Sequence, residues 1–224
     1  MSAADSPRRA VLPEAVARRL KAAGLSEREA RPLARSFYAR DPVTVASELL
    51  GRLMVSRIGD EVTAVRLVEV EAYWGEHDPG SHAHRGRTPR NAVMFGPPGH
   101  LYVYFTYGMH WCVNVVTGTD GEASAVLVRA GEPLVGQEAM AQRRAGVVRR
   151  DWCRGPARLA QALGLDGTIN GTSLLDGPAS LLHGRPVSPK DVVRTPRVGL
   201  SAGIETPWRF AVRDCPYVSG PRCR

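Results

Sequence analysis

Apolar and polar positions alternate along most of this chain, marking out strands with a few helical stretches between them. "RLMVSRI" and "EVTAVRLVEVEAY" (52–58 and 61–73) alternate with period two, and Gly59-Asp60 between them signals a hairpin. "HLYVYFTY" and "HWCVNVV" form a second strand pair around Gly108-Met109, and "ASAVLVRA" (123–130) reads as a further strand. "DPVTVASELLG" predicts a helix closed by Gly51. Two later segments, "PLVGQEAMAQRRAG" (133–146) and "GPARLAQALG" (155–164), also read as helices, the second with Pro156 at its start and Gly164 at its end. "RVGLSAG" and "WRFAVRD" predict late strands. Strand runs followed by helices, without a βαβ alternation, point to an α+β fold. The expectation is a single mixed domain with a curved antiparallel sheet, flanking helices and a protruding β-hairpin.

The first 40 residues stand apart. "PEAVARRLKAAG" predicts a short helix with Pro13 in its first turn and Gly24 as its stop, read as a solvated arm ahead of a domain spanning 41–224. Up to Arg40 the arm carries nine Lys/Arg against four Asp/Glu, a net +5 of the chain's formal +8. The chain's 224 residues, 43% of them hydrophobic, suffice for a full core. A sequence pI of about 9.8 favours an acidic partner such as nucleic acid, although basic surfaces also occur without one. Nearly all the positive charge is arginine, since Lys21 and Lys190 are the only lysines. Cys112, Cys153, Cys215 and Cys223 form no CxxC pair, which disfavours a cysteine zinc site. Arg8 and Arg9 precede no apolar signal region, and no run approaches the ~20 apolar residues of a membrane span. The reading is an intracellular protein with reduced thiols.

Strict alternation along 61–73 places Val65, Leu67, Glu69, Glu71 and Tyr73 on one face, with Val62, Ala64, Val68, Val70 and Ala72 on the other. Two carboxylates on an otherwise apolar face need a reason. Either both pair with arginines at the sheet edge, or one is a general base at the mouth of a pocket. Glu71, nearer the break into the following loop, is the better candidate. His77, His82 and His84 follow, and with Glu71 they suit either a metal or hydrogen bonds to a bound group; no HExxH frame is present. Tyr102, Tyr104, Tyr107 and Trp111 crowd one hairpin in a chain that is only 6% aromatic. A core cluster accounts for some of them. Tyr107-Gly108-Met109 falls at the turn, where a large side chain on a basic protein could wedge into a base stack, with nearby rings to sandwich an extruded base.

Taken together, "EVEAYWGEHDPGSHAHRGRTPRNAVMF", "GHLYVYFTYGMHWCVNVV", "LVRAGEPL", "CRGPARLAQALG" and "RVGLSAG…PWRFAVRDCPYVS" resemble the alkyladenine (3-methyladenine) DNA glycosylase family, in order, from Asp41 to Ser219. The resemblance implies that Glu71 is the general base that activates water, with Arg129 near that water and the target phosphate. It implies a base pocket lined by Tyr73, His82, Tyr104, Asn114 and Leu127, with Asn114 discriminating against 2-amino purines. Tyr107 matches the hairpin residue that replaces the flipped nucleotide, and Met109, Thr88, Arg90 and Arg158 match DNA contacts. Two positions depart from the mammalian pattern: His110 stands where an aromatic is usual, and the link from Asn114 to Arg129 is longer.

The implied activity is monofunctional hydrolysis of the N-glycosidic bond of 3-methyladenine, 7-methylguanine, hypoxanthine or ethenoadenine in duplex DNA. The implied enzyme is a monomer without metal, cofactor or membrane partner, placed at the bacterial nucleoid in the cytoplasm or in a nucleus. Two other classes remain open on the residues alone. One is a metal-dependent nucleic-acid hydrolase using Glu71, His82 and His84; the other is a non-catalytic binder of damaged nucleic acid.

Overall fold

The computed structural model describes residues 12–220. Arg8, Arg9 and Cys223 therefore lie outside the described residues. Eight strands make one sheet: β1 (Leu53–Ile58), β2 (Glu61–Tyr73), β3 (Leu101–Thr106), β4 (His110–Val116), β5 (Ala125–Val135), β6 (Ala179–Leu182), β7 (Val192–Thr195) and β8 (Arg209–Val212). The main path runs β3-β4-β5-β2-β1-β6, every pair antiparallel. Among the described residues five α-helices accompany it: α1 (Glu14–Ala22), α2 (Arg35–Tyr38), α3 (Pro42–Leu49), α4 (Gln137–Arg143) and α5 (Pro156–Leu163). The result is the expected α+β domain, with the antiparallel sheet curled into a half-barrel.

The curl comes from β2, thirteen residues long. Its first half pairs with β1 and Glu69–Glu71 pair with β8, while β5 follows it from Ala64 to Tyr73. The β2–β5 register slips three times, once between Ala64 and Val65 and twice around Glu69. Leu67 faces Gly131 and Glu69 faces Ala130, leaving Val68 as the extra residue of β2; Val70 then faces Val128, leaving Arg129 as the extra residue of β5. These paired bulges correct the face assignment made from alternation alone. One inserted residue turns every later side chain to the opposite face. Val65 and Leu67 therefore share the main core with Val70 and Ala72, and Glu69 and Glu71 project from the other side.

The main core lies between the sheet and helices α3 and α5, joining Val45, Ala46 and Leu49 to Val70, Val128, Leu159 and Leu163. Asp41 caps α3 by accepting from the Thr44 backbone N–H at 2.8 Å, with Pro42 in the first turn. Three sequence expectations change. The strand expected to end at Ala130 continues to Val135, and α4 starts only after Gly136, whose φ of 70° no side-chain-bearing residue adopts easily. "RVGLSAG" is loop rather than strand, and the neighbouring β7 and β6, four residues each, are too short to show alternation. Finally, α1 is not a solvated arm: Val16 and Leu20 are buried against Leu53, Val55, Ala64 and Leu182 on the face opposite the main core.

Candidate active site

Glu69 and Glu71 are both fully buried. Each is held by donors from several strands and loops. The Glu71 carboxylate accepts from the Tyr73 hydroxyl at 2.9 Å and the Arg129 Nη1 at 3.2 Å on one oxygen, and from the Val198 backbone N–H at 2.8 Å on the other. Glu69 accepts from Arg129 Nε and Arg209 Nε, both at 2.8 Å, from the Ser219 hydroxyl at 3.0 Å and from the Ser219 N–H at 2.6 Å. Arg129 thus spans the two carboxylates, Nε to one and Nη1 to the other. Its position as the bulged residue of β5 gives its side chain that reach. Both carboxylates are paired with arginine, the first of the two alternatives open on the sequence: Glu69 serves two arginines, and Glu71 shares one.

The electrostatics follow from burial opposed by charge. Burial would raise the Glu69 carboxyl, but Arg129 and Arg209 outweigh it and hold the group below the ordinary carboxylate range. Burial would lower the Arg129 guanidinium, and Glu71 and Glu69 reverse this, raising it. Burial, reinforced by the negative charge of Glu71, pushes the Tyr73 hydroxyl far up, so it stays a hydrogen-bond donor. Burial does the same to Tyr104.

Around this cluster stands an aromatic wall. Tyr104 lies 4.5 Å from the His82 ring, nearly perpendicular to it, and 5.5 Å from Tyr102. His82 Nδ1 is 3.1 Å from the Tyr102 hydroxyl. The rings shield the inner side of His82, and with Arg90 nearby they lower its pKa, favouring the neutral imidazole at pH 7. Asn114, buried, donates to the Tyr102 carbonyl at 3.1 Å. It sits opposite Leu127, which itself sits opposite Glu71, so β4, β5 and β2 bring these three residues of the expected active site side by side. Cys112 lies across from Tyr104 on β4, and burial pushes its thiol up.

The hairpin tip is a three-residue loop, Tyr107–Met109, whose first two residues are left-handed, Tyr107 at φ 52° and Gly108 at φ 64°, with the Met109 N–H donating to the Thr106 carbonyl at 3.2 Å. Tyr107 is 83% exposed and Met109 is 68% exposed. Arg90 reaches the base of this hairpin, donating to the Phe105 carbonyl with its Cζ 5.5 Å from the Tyr104 ring. Thr88 is exposed nearby, in a turn whose N–H donates to Asn91. Arg158 is exposed on α5, which packs on the core side of the sheet, away from the carboxylates.

The histidines do not converge on Glu71. His84 turns its Nδ1 to the Glu76 carbonyl at 2.7 Å, and among the described residues no three His, Cys, Asp or Glu side chains form a group that could hold a metal. Sequence reasoning missed Arg197, Asp78, Arg209 and Ser219. Arg197 and Asp78 are both buried, with the Arg197 guanidinium beside Tyr73. The expected strand at "RVGLSAG" hid Arg197; a buried arginine in a loop has no periodicity to reveal it.

Comparison with known proteins gives the chain's family. A family model described as methylpurine-DNA glycosylase (MPG) matches residues 36–216. Relatives bearing the name "Putative 3-methyladenine DNA glycosylase" include one from Burkholderia lata, 49% identical, covering 86% of this chain and 93% of its own. Another from Streptomyces avermitilis is 51% identical over 84% and 91% of the two chains. A third from Carboxydothermus hydrogenoformans is 47% identical over 84% and 98%. These matches define a DNA repair enzyme, a DNA glycosylase whose substrate is DNA. The chain belongs to the methylpurine-DNA glycosylase family.

Proposed function

We propose that this glycosylase extrudes alkylated or deaminated purines from duplex DNA and hydrolyses the N-glycosidic bond with a water activated by Glu71. The observation that carries the reading is Glu71 itself: a buried carboxylate held by Tyr73, Arg129 and the Val198 N–H, next to the wall of Tyr104 and His82. Base-excising enzymes in general take the target out of the stack. Tyr107, exposed at the hairpin tip, fills the gap left in the duplex, and the extruded base enters between Tyr73 and the Tyr104–His82 side. Bond cleavage develops positive charge on the sugar, as in glycoside hydrolysis. Glu71 stabilises that charge and takes a proton from the attacking water, with Arg129 holding the carboxylate in place. A purine alkylated at N3 or N7 is already cationic and leaves as a neutral base. A neutral lesion such as hypoxanthine or ethenoadenine needs a proton or a hydrogen-bond donor, and His82 supplies the bond. Asn114, at the pocket wall, disfavours a 2-amino group by occupying its space. The product is an intact strand with an abasic site.

The test is incubation with duplexes containing single lesions, scoring free base by chromatography. Wild-type protein should release alkylpurine. Glu71→Gln keeps shape and loses the base, so it should bind the same duplex while release falls by roughly 10²–10⁴. Near wild-type single-turnover release by Glu71→Gln would remove Glu71 from the mechanism.

A further inference from the structure

Behind Tyr73 lies a buried ion pair that no step of this mechanism uses. Arg197 and Asp78 are both buried, in separate loops. The guanidinium grips the carboxylate with both Nη atoms, at 2.5 and 2.7 Å, and also donates to the Ala72 carbonyl at 2.9 Å. Asp78 is further satisfied by the Trp74 N–H at 3.2 Å and the Gly80 N–H at 2.9 Å. The approach is close: a Cβ on Gly80 would stand 2.8 Å from Arg197 Nη2. Arg197 Cζ lies 4.6 Å from the centre of the Tyr73 ring and 5.3 Å from that of Trp208. A two-pronged carboxylate holds a guanidinium by its edge, so the cation, not Asp78, meets the Tyr73 ring.

We propose that the Arg197–Asp78 pair is a specificity-determining element that weakens the pocket's preference for cationic purines relative to neutral ones. This rests on the reading that Tyr73 lines the base pocket. An aromatic face attracts a cation through the ring's quadrupole. Here one face of Tyr73 already carries a guanidinium. A purine stacked on the free face, at a contact of about 3.5 Å, brings its charge within roughly 8 Å of Cζ with only the ring between them. A cationic base is opposed by that guanidinium, and a neutral base is not. Negative charge that develops on a neutral leaving base is favoured by the same group. The pair therefore narrows the gap between lesions that leave readily and lesions that do not.

The experiment compares kcat/KM for 7-methylguanine and hypoxanthine release from one duplex sequence, using wild type, R197K and R197M/D78N, with thermal unfolding of each protein measured alongside. Capture of the still-charged base bears the repulsion, so kcat/KM is the parameter to read. In R197M/D78N the 7-methylguanine to hypoxanthine ratio should rise about fivefold, the scale of one modest cation–π contact, whatever happens to the absolute rates. R197K keeps the charge but concentrates it at Asp78 away from the ring, so its ratio should rise by a smaller factor. A purely structural role predicts that both rates change in parallel. A ratio unchanged or lowered in R197M/D78N overturns the proposal. If that variant does not fold, R197K decides alone: a raised ratio supports the proposal and an unchanged or lowered one overturns it. Failure of the underlying pocket reading looks different. It would appear as Tyr73→Leu releasing both lesions at wild-type rates.

Discussion

Glu69 is fully buried and accepts from two arginines and from Ser219, whose N–H and hydroxyl both reach it. Removing one partner of a buried ion pair leaves the other uncompensated, at a cost of about 3–5 kcal/mol. Glu69→Gln should therefore lower stability at pH 7 by that order, measured by urea unfolding. The pH dependence has a definite sign. Burial opposes ionisation of Glu69, Arg129 and Arg209 overcome it, and the folded carboxyl titrates below its unfolded value. Its contribution is fully present above the unfolded value of about 4.3 and is lost as pH falls through the folded one. The gap between wild type and Glu69→Gln should accordingly be wide at pH 7 and narrow in the acid range; a gap that stays constant with pH would show that Glu69 acts through packing. At this scale the sequence was informative about Glu69, Glu71 and Tyr73, because charges at the end of an apolar strand announce themselves. It was silent about Arg197 and Ser219, which act from loops through contacts more than 100 residues away in the chain.

Among the elements, the hairpin β3–β4 was legible and the faces of β2 were not. Turn chemistry is local, and Gly108 fits its left-handed position. A bulge depends on the partner strand, so Val68 and Arg129 could not be recognised as inserted residues from either strand alone. The short β6 and β7 carry too few positions for a period. The hairpin also holds a local conflict. Tyr107 sits at φ 52°, a conformation disfavoured by about 1–2 kcal/mol for a residue with a Cβ, and its ring is largely exposed. Neither strain nor exposure stabilises the fold, which favours a role in contact with DNA. Tyr107→Gly separates the two effects. Its unfolding temperature should equal or slightly exceed that of wild type, while capture of an extruded base weakens by roughly 1–3 kcal/mol, the size of one base–aromatic stack. Normal capture and release by Tyr107→Gly would make the tyrosine dispensable.

For the molecule as a whole, the sheet divides two tasks between its faces, with the main core on one and the carboxylate cluster on the other. Helix α1 covers part of that second face, where Leu20 is fully buried against β1 and β6. The basic composition of the first 40 residues concealed this, since Val16 and Leu20 are too few to mark an amphipathic helix among its charges. Leu20→Ala should cost about 2–5 kcal/mol in chemical unfolding, and a loss near zero would restore the picture of a loose arm. The docking of α1 also bears on the reaction. A glycosylase that cuts the strand attacks the sugar with an amine and forms a Schiff base. Lys21 is exposed on α1, and Lys190 is exposed in the turn before β7. Neither donates to Glu69, Glu71 or any residue bonded to them among the described contacts. Arginine stays protonated and cannot serve as the amine. On the proposed route water is the nucleophile, and the abasic strand is left uncut. Borohydride added during turnover on a 7-methylguanine duplex should trap no protein–DNA adduct, and the abasic product should break only on later treatment with alkali. An adduct that disappears in Lys21→Gln or Lys190→Gln would instead establish an amine route and displace the Glu71 water.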